Sequence, residues 1–328
     1  MSSLTAADLT KAGLEMHSLM AELYPICRSI TGEGFRQTMK ILSELIPLEI
    51  TEVPSRTEVF DWNVPREWNI RDAYIKDPSG KKIVDFQKSN LHVMSYSIPV
   101  NRKMSLGELK PHLYSLPEHP DWIPYRTSYY SENWGFCLQD RQLKQLQSGE
   151  YEVVIDSSLE EGSLTYGECF IAGRRKEEVL ISCHSCHPSL CNDNLSGVVV
   201  SVKLAQALRN QDLEFSYRFL FIPGAIGSIT WLNQNQNHTK NIVNGLVVAC
   251  VGDAGKSTYK KSRRGYAEID RAAEHVLKHS NNDYEILEFS PYGYDERQFC
   301  SPGFNLPVGC LMRTPFAKFP EYHTSADN

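Results

Sequence analysis

The segment ISCHSCHPSLCNDNLSG, Ile181–Gly197, places two histidines and an aspartate within ten positions, directly after an apolar run. That run, Glu177–Cys183, is short and rich in aliphatic and β-branched residues, which is typical of a buried parallel strand. His184 and His187 then follow the carboxyl end of the strand, where the ligands and catalytic groups of open α/β sheets collect. The spacing predicts a metal site at the edge of an α/β sheet.

A helix is predicted directly after this segment. Apolar residues recur at helical spacing in Leu195–Arg209, and either Asn194 or Ser196 can cap the first turn. Asp193 would then precede a helix N-terminus, where the positive end of the helix and free backbone N–H groups keep a carboxylate ionised. An ionised carboxylate suits a zinc ligand.

Other interpretations of the segment remain open. Cys183, Cys186 and His187 match the C-x-x-C-H pattern that attaches c-type haem, and the cysteine pair could also be redox-active or half of a structural zinc site. The absence of an export signal disfavours haem attachment, and the absence of a second C-x-x-C disfavours a structural zinc site. The histidines could also be satisfied by hydrogen bonds alone.

The C-terminal stretch supplies a third histidine. The apolar run Leu306–Arg313 predicts another strand, and FPEYHTSADN follows it with Glu321 and His323. A third imidazole at a strand end is what a mononuclear or dinuclear zinc site needs.

Several motifs resemble known proteins. DNLSG at 193–197 resembles the segment of the co-catalytic zinc aminopeptidases whose aspartate bridges two metals, and EYHTSADN resembles the loop of their final histidine ligand. Over essentially its whole length the chain resembles a bacterial family of aminopeptidase-like proteins with an inserted domain, some of them labelled polysaccharide-biosynthesis proteins. The motifs are LYPICRSITGEG (23–34), FDWNVPREWNIRDAYI (60–75), SYYSENWGFCL (128–138), SCHPSLCNDNLSG (within 182–197) and PYGYDERQFCSPGFNLPVG (291–309).

This resemblance implies a doubly wound α/β fold with a mixed sheet of zinc-aminopeptidase (phosphorylase/hydrolase-like) type. We expect that domain to comprise residues 1–59 and 161–328, with a smaller β-rich inserted domain at 60–160. Four of the five tryptophans lie in the insert, where they could fill a core or line a groove. Because the family commonly continues into a winged-helix-like C-terminal domain, we expect this chain to be a form that lacks it.

The resemblance also implies a ligand set, with Asp193 as the bridging aspartate and His323 as the last histidine. The first histidine is ambiguous, because His184 begins the aminopeptidase motif H-x-D but Cys186 replaces its aspartate, whereas His187 lies close by. We expect His187, Asp193 and His323 to bind the metal. His184 would be a fourth ligand or would orient another one.

The family pattern is broken within FLFIPGAIGSITWL, Phe219–Leu232, where zinc aminopeptidases carry a Glu-Glu pair. Gly224 and Ala225 stand at these positions. One of the glutamates is a general base, which contributes about 10²–10⁴-fold in rate, and the other is a metal ligand. Their absence predicts one zinc ion rather than two, and either a substitute carboxylate or a site that does not hydrolyse.

Other acidic and polar residues could complete the site. The candidates for the catalytic carboxylate are Asp253, Asp295 and Glu296, and those for substrate binding are Tyr294, Arg297 and Glu321. By resemblance, Asp253 matches a ligand of the second zinc, whereas the stretch YGYDERQF lies near the substrate. We expect Glu296 to be the base and Arg297 to anchor a substrate carboxylate.

Composition and charge limit the function classes. The chain has 328 residues, enough for a large α/β domain and a smaller companion, and its net charge of −6 disfavours nucleic acid as a partner. The N-terminus lacks a secretory signal, and no apolar run approaches a membrane span. Nine scattered cysteines are typical of reduced thiols in a cytoplasm. Helical periodicity near the N-terminus gives an apolar stripe that we expect to be core, with Leu9, Leu14, Met16 and Leu23.

The sequence therefore predicts a cytoplasmic, zinc-dependent hydrolase of aminopeptidase type that cleaves an amide or peptide bond of a small substrate, with homo-oligomerisation left open. The alternatives are a catalytically impaired metal-binding protein that recognises a peptide or a modified sugar in polysaccharide or secondary-metabolite biosynthesis, and a metal-dependent enzyme of another reaction class.

Overall fold

An eight-stranded mixed sheet is the largest element of the computed structural model, which describes residues 6–129 and 131–328. The strands are β1 (Leu48–Pro54), β2 (Glu58–Val59), β3 (Trp62–Asn63), β4 (Glu67–Lys76), β5 (Lys82–Asp85), β6 (Val100–Ser105), β7 (Leu113–Tyr114), β8 (Phe136–Cys137), β9 (Glu150–Glu160), β10 (Ser163–Ile171), β11 (Glu178–His184), β12 (Ser216–Ile222), β13 (Ile242–Val248), β14 (Ser257–Lys260), β15 (Tyr284–Leu287) and β16 (Val308–Met312). The helices are α1 (Ala6–Leu23), α2 (Glu33–Leu45), α3 (Leu106–Leu109), α4 (Asp140–Lys144), α5 (Ser196–Leu208), α6 (Ile226–Gln234), α7 (Glu268–Lys278) and α8 (Glu296–Phe299).

The strand order of the large sheet is β1-β10-β12-β11-β13-β16-β14-β15. Its four central strands, β12, β11, β13 and β16, run parallel. At one edge β10 is antiparallel to β12 and β1, and at the other β14 is antiparallel to β16. The central strands are continuous apolar runs, as expected when both faces of a parallel sheet are covered.

Helices cover both faces of this sheet, as neighbouring residues of β10 show. A Cβ on Gly167 would meet the sulfur of Met39 in α2 at 2.8 Å. The next residue, Glu168, accepts a hydrogen bond from the indole N–H of Trp231 in α6. Because successive strand residues point to opposite faces, α2 and α6 lie on opposite sides. The predicted doubly wound mixed α/β fold is therefore confirmed.

The helix predicted after the histidines is α5, but the predicted side-chain cap is wrong. A wide turn, Cys191–Leu195, leads directly into α5, and no side chain caps the helix. Ser196 Oγ instead donates to the carbonyl of Asn192, and the amide of Asn194 donates to the carbonyl of His184. The Asn194 side chain fastens the turn to the end of β11, and that of Ser196 closes the turn itself.

The apolar stripe predicted on α1 is only partly core. Leu9 and Leu14 are 59% and 68% exposed, whereas Leu19 and Leu23 are buried. The helix packs against α5 and the turn before it. The stripe prediction is therefore wrong for Leu9 and Leu14 and confirmed for Leu23.

A second, four-stranded antiparallel sheet, in the order β5-β4-β9-β6, lies within residues 67–160. Trp68 and Trp134 belong to the buried hydrophobic core, and Trp68 stacks on Tyr96. Core filling therefore accounts for two of the tryptophans in this stretch.

No helix within 6–129 and 131–328 combines the length and the apolar character needed to cross a membrane.

The central strands give a stability prediction. Phe219 in β12 is fully buried, whereas Phe170 in β10 is 45% exposed. Phe219→Ala leaves a cavity and should lower the free energy of unfolding by about 3–5 kcal/mol. Phe170→Ala, the matched control, should cost less than about 1 kcal/mol. Urea unfolding followed by fluorescence measures both, and equal losses would contradict the burial assigned to β12.

Candidate metal centre

Asp193 lies in the turn between β11 and α5, and its carboxylate is fully buried. His184 Nε2 lies 2.8 Å from its Oδ1, and the Tyr294 hydroxyl donates to Oδ2 at 3.0 Å. His323 Nε2 lies 3.0 Å from Oδ2, and His187 Nδ1 lies 3.7 Å from Oδ1. The fold thus brings all four predicted metal ligands together, with Tyr294 beside them.

The donor atoms of this cluster fit a metal ion. Candidate ligand atoms of His184, His187 and Asp193 lie within 4.8 Å of one another. His187 Nδ1 and His323 Nε2 are buried, and neither makes a hydrogen bond within the part of the chain that the structure describes. A buried polar atom without a partner costs about 1–3 kcal/mol, which a bound cation would relieve. Imidazole nitrogens and a carboxylate oxygen are ordinary zinc donors.

The electrostatics favour the protonation states that bind metal. Burial lowers the pKa of His187 to about 3, so its imidazole is neutral near pH 7. Burial alone would raise the pKa of Asp193, but the neighbouring imidazoles hold this pKa well below its usual range. A neutral imidazole and an ionised carboxylate are the forms that coordinate metals.

Asp327 anchors the turn that carries Asp193. Its carboxylate accepts the backbone N–H of Asn192 and, at 2.9 Å, the backbone N–H of Asp193. Burial raises the pKa of Asp327 to about 6. The sequence pattern indicated no role for this residue, although it lies in the EYHTSADN motif.

Arg28 is a second residue that sequence reasoning missed, although it belongs to the LYPICRSITGEG motif. It is fully buried, and its Nε donates to the carbonyl of His187 at 3.0 Å while a terminal nitrogen donates to the carbonyl of Leu23 at 2.5 Å. Burial lowers the pKa of Arg28 to about 10. Its contacts fix the loop that carries His187.

Asp295 lies beside the position of the missing glutamate pair. A Cβ on Gly224 would lie 3.6 Å from Asp295 Oδ2 and 2.9 Å from His184 Cβ. Asp295 is fully buried, its Oδ1 accepts a hydrogen bond from Ser228 at 2.7 Å, and its Oδ2 has no hydrogen-bond partner within the described ranges. Burial raises the pKa of Asp295 to about 6. The bare backbone of Gly224 leaves space that this carboxylate approaches.

The structure places the expected base and its neighbour elsewhere. Glu296 is fully buried and forms an ion pair with the ammonium of Lys260. Arg297 is exposed on α8. Neither side chain lines the cavity beside the histidines, and Asp295 approaches that cavity only from behind Gly224.

The remaining two candidates lie apart from this cluster. Asp253 accepts hydrogen bonds from the side chains of Asn192 and Thr314 and from the backbone of Gly255, so it fastens loops to one another. Asp253 and Glu321 line a different cavity from the one beside His187.

A cavity of about 450 Å³ opens beside the metal cluster, and we call it the histidine cavity because His184, His187 and His323 line it. Its aromatic lining consists of Trp62, Tyr125, Tyr129, Tyr294 and Tyr322. Tyr125 makes edge-to-face contacts with His187 and with His323, each at a ring separation of 5.1 Å.

The stretch that supplies Tyr125 also holds the loop of the last histidine. The backbone N–H of Tyr125 donates to the carbonyl of His323 at 2.7 Å, and the backbone N–H of Ile123 donates to Ser325 Oγ at 2.9 Å. Residues from 60–160 therefore form one wall of the histidine cavity and position one of its histidines.

The chain is similar to several known proteins. The family model described as "Domain of unknown function (DUF4910)" matches residues 17–328. A curated relative from Clostridium acetobutylicum, "Putative polysaccharide biosynthesis protein with aminopeptidase-like domain", is 56% identical over 319 residues, which are 97% of this chain and 73% of the relative. A crystal structure of a "putative peptidase" from that organism superposes with a TM-score of 0.95 at 56% identity, covering 97% of this chain and 75% of that one.

A more distant likeness concerns the fold alone. The structure of a zinc aminopeptidase from Bacillus subtilis superposes with a TM-score of 0.66 at 12% identity, covering 97% of this chain and 88% of that one.

The anchor of the Asp193 turn can be tested directly. Asp327→Ala removes two acceptors from buried backbone N–H groups, so we expect the free energy of unfolding to fall by about 2–3 kcal/mol. Asn328→Ala, a change at the exposed neighbouring residue, should leave it within about 0.5 kcal/mol. Chemical denaturation measures both variants. A loss that is the same for the two would show that Asp327 does not hold the turn.

Proposed function

The chain belongs to the family described as a domain of unknown function (DUF4910), and from the geometry of its site we propose that it is a zinc-dependent hydrolase that cleaves an amide bond. The resemblance to aminopeptidase-like proteins that the motifs indicated is confirmed by the Clostridium relative. Because the name of that relative refers to polysaccharide biosynthesis, we propose a small molecule of such a pathway as the amide.

One observation carries the proposal: two buried imidazole nitrogens, His187 Nδ1 and His323 Nε2, face a buried ionised carboxylate and make no hydrogen bond within the described ranges. We assign His187, Asp193 and His323 as the ligands of one zinc ion. His184 Nε2 is already engaged with Asp193 at 2.8 Å, so its role is to orient that carboxylate.

When bound, the zinc ion would supply Lewis-acid polarisation of the amide carbonyl and acidification of a water molecule. Asp295 performs the proton transfer, in place of a glutamate at position 224. Its Oδ1 is held by Ser228, which leaves Oδ2 to accept the proton of the attacking water and to return it to the leaving amine. Tyr294 keeps Asp193 in place through its hydroxyl and stacks on the ring of His184 at 4.3 Å.

The ligand assignment predicts a specific pattern of zinc loss. The purified protein should hold one zinc ion per chain, and His187→Ala or His323→Ala should abolish stoichiometric binding. His184→Ala should weaken zinc affinity by about 10–100-fold, as expected for a residue that orients a ligand. Elemental analysis and competition with a chelator measure this. His275→Ala, a change at an exposed histidine of α7, is the control and should keep full zinc.

If His187→Ala still binds one zinc ion tightly, then His184 and not His187 is the ligand. A folded wild-type protein that binds no zinc would remove the proposed function.

The choice of base is tested by kinetics. Asp295→Asn should lower kcat by about 10²–10⁴-fold while the zinc content and KM stay close to wild type. Asp140→Asn is a matched control, because Asp140 is another buried aspartate with a serine partner but lies in α4, whereas Asp295 lies beside Gly224. It should retain kcat. A comparable loss of kcat in Glu296→Gln with none in Asp295→Asn would instead make Glu296 the base.

A further inference from the structure

Charged side chains are missing from the described lining of the histidine cavity. Among the described residues, its lining contains no Asp, Glu, Lys or Arg side chain. Apart from the imidazoles, the lining is aromatic, aliphatic and hydroxyl-bearing, and it includes Tyr125, Tyr129 and Ile229. Such a surface has no carboxylate that could form an ion pair with an ammonium ion of a substrate.

The charged groups near the cavity are already engaged. Asp193 lies 2.8 Å from His184 Nε2 and accepts a hydrogen bond from the Tyr294 hydroxyl, and in the proposed function it binds the zinc ion, so its charge is already engaged. Asp295 lies behind Gly224 and, in the proposed function, faces the attacking water. Its carboxylate is therefore used for proton transfer. It could not accept a proton from water while it was paired with an ammonium ion.

Arg28 adds a positive charge next to the metal cluster. Its guanidinium is fully buried, and its hydrogen bonds go to two backbone carbonyls; it forms no ion pair within 6–129 and 131–328. With a divalent cation on the ligands, the charges of the cation and of Arg28 are balanced by those of Asp193, Asp295 and Asp327, so no negative charge is left over for a substrate. An ammonium ion in the cavity would be unpaired, which is costly in a partly desolvated site.

We propose that the substrate is an amide that carries no free amino group beside the scissile bond, in other words an N-acylated amine such as an acetamido sugar or an N-acyl amino acid amide. The inference rests on the proposed function and names its substrate class. The aromatic lining suits this class, because tyrosine and tryptophan offer an apolar face to an acyl chain or sugar ring and a polar tip to its hydroxyl and amide groups.

The reaction balances without a further reactant. The oxygen of water bonds to the acyl carbon, the carbon–nitrogen bond breaks, and one proton from water passes through Asp295 to the leaving amine. The acid that forms gives its proton to the amine, so the products are a carboxylate and an ammonium ion. In this reaction the ammonium ion appears only in the product.

Matched metal-binding ligands test the inference without turnover. Leucine hydroxamate and N-acetyl-leucine hydroxamate present the same zinc-binding group and side chain, and differ in whether the α-nitrogen is charged at pH 6.5. Calorimetry with the zinc-loaded protein should show at least about 10-fold tighter binding of the acetylated ligand. Equal or tighter binding of the free-amine ligand overturns the inference and leaves the zinc site standing. Binding of neither ligand would show that the bound zinc ion cannot be reached from the histidine cavity, which contradicts both the inference and the proposed function.

A variant pair tests whether charge is the cause. Ile229 on α6 is half-buried and lines the cavity. Ile229→Glu supplies the missing carboxylate and should shift the preference toward leucine hydroxamate by about 10-fold or more, whereas Ile229→Gln, of the same shape without the charge, should not. Thermal unfolding and zinc content confirm that both variants are folded. An unchanged preference in folded Ile229→Glu would show that the missing charge does not set specificity.

Discussion

The burial of one carboxylate, that of Asp193, is the constraint on which the rest of the site depends. A fully buried aspartate stays ionised only if other groups compensate for the lost water, and here three imidazoles and a tyrosine hydroxyl do so. The backbone of its turn is held by Asp327. The histidines are ordered by the same carboxylate that they stabilise, so the cluster forms as one cooperative unit.

The sequence predicted those parts of the molecule that depend on local order. Apolar runs followed by polar residues located β11 and β16, whose carboxyl ends meet at one edge of the sheet, and the resemblance to the zinc aminopeptidases assigned Asp193 and His323 to one site. Sequence could not separate Asp295 from Glu296. The two are neighbours in the chain and both are buried, yet one approaches Gly224 and the other pairs with Lys260. Only the packing of α6 and α8 decides which carboxylate is near the histidines.

Contacts between residues that lie far apart in the chain could not be predicted from the sequence either. Arg28 and Asp327 act on backbone groups rather than on side chains, so no motif of ligand-type residues includes them. The role of the stretch 60–160 is similar. Its tryptophans suggested either a core or a groove, and both occur, because Trp68 is buried in the core while Trp62 lines the histidine cavity. Burial depends on the neighbours of each residue, which periodicity alone does not give.

The bond between Asp327 and the backbone of Asp193 joins residues 134 positions apart. During synthesis, His187 and Asp193 leave the ribosome long before the segment that carries His323 and Asp327. The nascent protein therefore has a partial ligand set in a turn without its anchor, and such a set holds a metal weakly. In the proposed function, tight metal binding therefore follows the docking of the segment 323–327 onto Ile123 and Tyr125.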